Sequence, residues 1–352
     1  MSAAAGGGGA PVSPAPSGAD TAPPLDVDRV GAWLGAPVRF LGVVSRGASK
    51  ATWSATVGGV PAFVAVPPPG ALLATAHDLQ REHRFLAALE GSEVPVPRVL
   101  AFCPDADVAG RPFLITERVE GRCLLVDPAQ GVDAAAVADA ALDVLVALHR
   151  LDVSRLGEPL PTGSHLERQI RRWQTQLEAT PTAARLGDLT PIVTWLLANR
   201  PAHEDRTIVH GDFGLHNLLV GRDRVTAVLD WELATVGDPL VDLTGFLKSW
   251  GAGAAVPNAA NDAIALDPAA PTREELARRY EARSGRAVGR HARFYEVLAR
   301  WRSIGIQEGI HARSEGSRFT TDVPRLVAAV RGIIGLDPAP GAPGEEGHVR
   351  HP

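Results

Sequence analysis

Cysteine is nearly missing from these 352 residues, which contain two, Cys103 and Cys123. The pair forms no C-x-x-C and no metal-ligand cluster, which excludes a disulfide-stapled scaffold and a zinc module and points to a reducing, cytoplasmic setting. Long apolar runs are missing as well: no stretch of about eighteen apolar residues is available to span a bilayer. There is no positive excess either. The net charge of −5 gives no electrostatic footprint for nucleic acid or an anionic membrane. The first basic residue is Arg29, so the chain start carries no positive n-region of the signal-peptide kind.

What is present is ordinary for a soluble globular protein: 45% hydrophobic and 21% charged residues. This length implies two domains or two lobes with a sizeable core. Residues 1–24 are mostly Ala, Gly, Pro and Ser with one charge, Asp20, and residues 341–352 are again rich in Gly and Pro. Both read as disordered tails. No repeat of solenoid period occurs.

The most informative stretch is Thr207 to Glu232, TIVHGDFGLHNLLVGRDRVTAVLDWE. Asp212 stands five residues before Asn217 and eighteen before Asp230, with short β-type runs between them. Phosphoryl transfer needs such a set: a carboxylate to accept a hydroxyl proton, and further oxygens to hold Mg²⁺ against nucleotide phosphates. Asp212 is the candidate base, and Asn217 and Asp230 are the candidate metal ligands. Glu232 reads equally as an auxiliary metal contact or a solvated carboxylate.

Upstream, VRFLGVVS, ATWSATV and VPAFVAV are short β-rich runs separated by the turn signals Arg46 to Lys50 and Gly58-Gly59. Helical spacing is predicted for His77 to Leu89, and two more strands for Val99 to Phe102 and Pro112 to Thr116. Downstream, helices are predicted over Asp133–Leu151, His165–Glu178, Pro191–Asn199, Arg273–Arg283, Arg290–Ile310 and Val323–Leu336. His149 reads as a packed or capping residue, and Asp242 as a helix-start or scaffold carboxylate that steadies the catalytic loop.

His210, Gly211, Asp212 and Asn217 make an H-G-D-x-x-x-x-N string that parallels the H-R-D-x-x-x-x-N loop of protein kinases, with Asp230-Trp231-Glu232 where those enzymes carry D-F-G. The chain resembles the aminoglycoside phosphotransferase and choline kinase-like superfamily. The pieces Pro67 to Leu73, Arg81 to Arg84, Val94 to Leu100, Arg168 to Trp173 and Glu308 to Ile310 resemble the subgroup associated with acyl-CoA dehydrogenases. The resemblance implies a bilobal α+β, protein kinase-like fold: a nucleotide-binding lobe over residues 25–117, a hinge at 118–121 and a mainly helical lobe over 122–340. It implies ATP and Mg²⁺ as cofactors and a small-molecule hydroxyl acceptor, here a hydroxyacyl group. It makes Arg46 to Lys50 the loop over the phosphates and the backbone of Glu117 and Val119 the adenine contact. Relatives carry a basic residue where this chain has Val66, paired with a helix glutamate that matches Glu82. Lys50, or else Arg46, is the candidate replacement.

Arg168, Arg171 and Arg172 share one face of a predicted helix beside Trp173. That face reads either as a contact for an acidic acceptor through Arg168, Arg172 and Trp173, or as a solvated basic surface. Two other functions stay open: a nucleotide-binding pseudokinase, suggested by Val66, and an antibiotic phosphotransferase.

Overall fold

The computed structural model describes residues 24–46, 50–68, 74–124, 131–222, 224–248, 250, 264, 267–313 and 322–336. Both predicted tails, apart from Pro24, lie outside these residues, as do Gly47 to Ser49 and Pro69 to Leu73. Two compact units are present: Met1–Ala87 with Pro97–Arg118, and Ala88–Val96 with Val119–Pro352. The stretch 88–96, placed in the first lobe by the sequence reading, belongs to the second unit. Its polar backbone is used there: Arg155 donates to the Ala88 and Glu90 carbonyls, and Val228 N–H to the Pro95 carbonyl at 2.8 Å.

The first unit is a sheet of β1 (Val38–Arg46), β2 (Ala51–Val57), β3 (Val60–Val66), β4 (Val99–Cys103) and β5 (Phe113–Glu117). All neighbours are antiparallel, in the order β1-β2-β3-β5-β4. Gly58 and Gly59 close the β2–β3 hairpin at φ 58° and 83°. Positive φ at both central residues is what a right-twisted two-residue hairpin demands. The register pairs Trp53 with Val64 and Ala55 with Ala62, so alternate residues share one buried face. They join Val66, Phe113 and Ile115 in a single apolar cluster. Val30 of α1 (Val27–Leu34) completes it, on a short helix that the sequence reading did not anticipate and that Asp26 caps by accepting from Arg29 N–H at 3.1 Å. Helix α2 (Ala74–Leu89) starts earlier than predicted and stacks the His83 ring on Phe102, with centroids 4.5 Å apart.

Helices dominate the second unit. They are α4 (Ala134–Arg150), α5 (His165–Glu178), α6 (Thr190–Ala198), α7 (Leu240–Leu247), α8 (Arg273–Ser284), α9 (Ala292–Arg313) and α10 (Val323–Ile334), after the short α3 (Ala106–Ala109) of the first unit. Asp133 caps α4 and Ser164 caps α5 through backbone N–H groups, as polar residues ahead of an apolar-periodic run do. Leu166, Ile170, Trp173 and Leu177 recur along one side of α5 and bury against Val297, Leu298, Trp301 and Ile304 of α9. Burial of each such side chain contributes about 1.5–3 kcal/mol. Two small sheets complete the unit: β6 (Arg122–Cys123), β8 (Leu218–Val220) and β9 (Val225–Val228) in the order β6-β8-β9, and β7 (Thr207–Val209) with β10 (Thr235–Gly237). No helix among the described residues is long and apolar enough to cross a membrane.

Candidate active site

Strand β7 delivers the chain to His210 and then breaks. Gly211 sits at φ 81°, and a Cβ there would meet the Leu233 carbonyl oxygen at 2.5 Å. Only glycine fits that turn. Asp242, fully buried on α7, clamps the turn from below, accepting from His210 N–H at 2.6 Å and Gly211 N–H at 2.8 Å. Burial opposes the charge on Asp242, but His149, His210 and these donors outweigh it and hold the carboxyl below the usual range. His149 is buried between Asp242 and Tyr280, with Nδ1 2.8 Å from the tyrosine hydroxyl. Burial lowers the pKa of both histidines. His210 accepts from Asp212 N–H at Nδ1, which leaves Nε2 as the donor to the Leu229 carbonyl at 2.9 Å.

This clamp presents Asp212. One carboxylate oxygen is held by Arg302 of α9; the other lies 3.1 Å from His216 Nε2 and 3.4 Å from Asn217 Nδ2. Desolvation would raise the Asp212 pKa, but Arg302, His216 and Lys248 together draw it well below the usual carboxylate range. Asp212 is therefore ionised, with 27% of its side chain exposed, so an incoming hydroxyl can reach it. Asn217 turns its amide N–H onto the Asp212 carbonyl at 3.0 Å, which orients the carboxamide oxygen away from that carbonyl. Its own carbonyl accepts from Leu229 N–H at 2.8 Å, fixing the start of the Asp230 turn.

Asp230 adopts φ 65°, ψ 63°, and is the one described non-glycine residue with positive φ. Such a conformation costs of order 1–3 kcal/mol and concentrates at functional sites. Glu232 follows in the one-turn helix Trp231–Leu233 and is half-buried. Among the described residues no three His, Cys, Asp or Glu side chains converge to hold a metal. A set of two protein oxygens, from Asn217 and Asp230, fits Mg²⁺, which prefers to complete its octahedron with phosphate and water oxygens.

In the first unit Lys50 Nζ lies 2.5 Å from Glu82 Oε2, both largely buried. Lys50 enters β2 next to Ala51, whose partner across the ladder is Val66. Val66 itself is core, 1% exposed within the apolar cluster, so a charge there would be buried. Glu117 N–H donates to the Arg98 carbonyl at 2.9 Å, and its carboxylate accepts from Arg98 N–H at 3.0 Å. Arg46 is the last residue of β1, and Val119 begins the second unit's main segment.

The arginine face of α5 divides. Arg168 donates to the carbonyls of Thr162 at 2.6 Å and Gly163 at 3.0 Å, anchoring the preceding loop. Arg172 is exposed, 5.4 Å from the Trp173 ring centroid. Trp173 turns inward and lines a pocket with Gln169, Val241, Lys248, Tyr295 and Arg302. The sequence reading singled out neither His216 nor Lys248 nor Arg302. His216 carries a signal, four residues beyond Asp212; Arg302 carries a fainter one, a charge four residues after Leu298 on an apolar stripe.

The sequence matches a family model described as a phosphotransferase enzyme family over residues 41–300. It is 32% identical over 257 residues to acyl-CoA dehydrogenase family member 10 of Mus musculus, a match covering 70% of this chain and 24% of that protein. To acyl-CoA dehydrogenase family member 11 of Homo sapiens it is 30% identical over 256 residues, covering 70% and 33%. The chain thus spans about a quarter to a third of the length of these curated relatives. A crystal structure from Ralstonia eutropha, of a protein assigned as an aminoglycoside phosphotransferase, superposes with TM-score 0.65 at 27% identity, covering 88% of this chain and 96% of that one.

Proposed function

The chain belongs to the phosphotransferase enzyme family, and from that premise we propose that it is an ATP- and Mg²⁺-dependent small-molecule kinase acting on an acceptor hydroxyl. Asp212 orients that hydroxyl and takes its proton as the oxygen attacks the γ-phosphorus. The new O–P bond forms while the bond to the β–γ bridging oxygen breaks, and ADP leaves. Asn217 and Asp230 would hold the Mg²⁺, whose charge supports the phosphate oxygens during transfer. Lys50, positioned by Glu82, contributes a cation for the nucleotide phosphates. The observation that carries this reading is the Asp212 carboxylate, kept ionised and partly exposed on a loop that Asp242 locks from beneath. A base with so low a pKa acts more by aligning the hydroxyl than by proton affinity, which suits a loose transition state.

For the acceptor, the kinship to acyl-CoA dehydrogenase family members supports a hydroxyacyl-CoA or a related hydroxy acid. The likeness to the Ralstonia protein supports a second reading, an antibiotic acceptor of the aminoglycoside kind. A polycationic drug would meet Arg302 and Lys248 beside the base, which disfavours it. The test is ADP release from Mg·ATP with hydroxyacyl-CoA, hydroxy-acid and aminoglycoside panels, on the wild type and on Asp212→Ala. Acceptor-dependent release by the wild type alone supports the proposal; equal release by both, or none with any panel, removes it.

A further inference from the structure

Gly214 is a glycine without a conformational reason. Its φ of −176° and ψ of 166° are extended backbone, which any residue adopts. Space is what requires it: a Cβ there would stand 2.7 Å from Cε1 and 2.9 Å from Nδ1 of His216. The histidine ring therefore lies directly on the Gly214 backbone. A one-turn helix, Leu215–Asn217, holds it there, closed by Asn217 N–H on the Gly214 carbonyl at 2.9 Å and anchored by fully buried Leu215. From this seat Nε2 is turned to Oδ2 of Asp212, 3.1 Å away. An ionised carboxylate only accepts, so this Nε2 carries its proton.

A carboxylate offers about four acceptor positions, shared between its two oxygens. Among the described residues, His216 and, more distantly, the Asn217 amide at 3.4 Å donate to Oδ2, whereas Arg302 donates to Oδ1. The position left over is on Oδ1. Arg302 alone would let the carboxylate swing about its Cβ–Cγ bond; a donor on the other oxygen fixes its plane.

We propose that His216 is a positioning residue for phosphoryl transfer: seated on Gly214, it holds Oδ2 of Asp212 so that Oδ1 is the oxygen that meets the acceptor hydroxyl. The inference rests on the kinase reading and goes beyond it in naming the reacting oxygen and the residue that selects it. The hydroxyl proton passes to Oδ1 as the hydroxyl oxygen bonds to the γ-phosphorus and the bond to the β–γ bridging oxygen breaks. A misaimed base loses rate and not nucleotide affinity, since its alignment counts only in the transition state.

The test is steady-state ADP release from Mg·ATP by the full chain, with the acceptor of the panels above that gives the fastest release. His216→Ala should lower kcat about 10- to 100-fold and leave KM for Mg·ATP unchanged. His216→Gln, which still offers a side-chain N–H, should recover most of that loss. Added imidazole should raise turnover of His216→Ala to a plateau without changing the wild type, a response that a folding defect does not give. Gly214→Ala, which keeps the histidine but fills its seat, should reproduce the loss. Undiminished kcat in His216→Ala, or a loss that neither glutamine nor imidazole restores, overturns the proposal and leaves the kinase reading standing. A gain in kcat overturns it too, because the hydroxyl then competes with His216 for Oδ2. Absence of release by the wild type with every acceptor removes the kinase reading, and this inference with it.

Discussion

The two units hold their charged groups in different ways. In the first, Lys50 and Glu82 form a close ion pair where the chain enters β2. In the second, Asp212 sits in a web in which Arg302, His216 and Asn217 reach its carboxylate, while Asp242 fixes its backbone through two N–H groups. Loss of one partner there strands its charge locally. A web of buried charge transmits the loss of any member, because each removal strands another charge in a dry site.

Mutations break this comparison in graded fashion. The largest effect is expected at the base: Asp212→Ala should cut acceptor-dependent turnover by about 10²–10⁴-fold, the usual contribution of a positioned base, in a coupled ADP assay. Circular dichroism should show the fold retained. Next is Asp242→Ala, which strands two backbone donors and the neighbouring His149; a loss of about 3–5 kcal/mol is expected by urea unfolding.

Asp238 sharpens the contrast through pH. It is 3% exposed and its pKa is raised to about 6, mainly by burial. The folded chain therefore holds a proton there that the unfolded chain releases at lower pH, so this group disfavours folding progressively as pH climbs from about 4 through 6. Asp238→Asn should remove that penalty, which is of order 3 kcal/mol at neutral pH. The melting temperature of the variant should accordingly fall less than that of the wild type between pH 4 and pH 7. The smallest effect on function belongs to the Lys50–Glu82 pair: Lys50→Ala should weaken Mg·ATP binding about tenfold, and it should also lower the melting temperature, because the largely buried Glu82 loses its close partner.

The sequence exposes what is local. Asp212, Asn217 and Asp230 fall within eighteen residues of one another, and the strands between them are short enough that spacing alone places them on one loop system. The β2–β3 hairpin was legible for the same reason, since Gly58-Gly59 between alternating runs dictates both turn and register. Arg302 was not. It lies ninety residues beyond Asp212, and only the packing of α9 against α5 and α7 brings it to the base. Lys248 went unremarked, because burial is a property of the fold and not of the residue. Val66, read from the sequence as the place of a missing basic residue, lies in the sheet core, and Glu82 pairs with Lys50. Helix α1 escaped notice because eight residues after a Pro- and Gly-rich stretch carry too few apolar repeats to declare a period.

The most direct measurement is a calorimetric titration of the wild type and of Asp230→Ala with ATP, with Mg²⁺ and then with a chelator present. Binding at about 1 mM or tighter, within the range of ordinary enzyme substrates, that disappears on chelation and in Asp230→Ala is the result expected of a working kinase site. Absence of binding by the wild type, or binding indifferent to both the metal and Asp230, would contradict it.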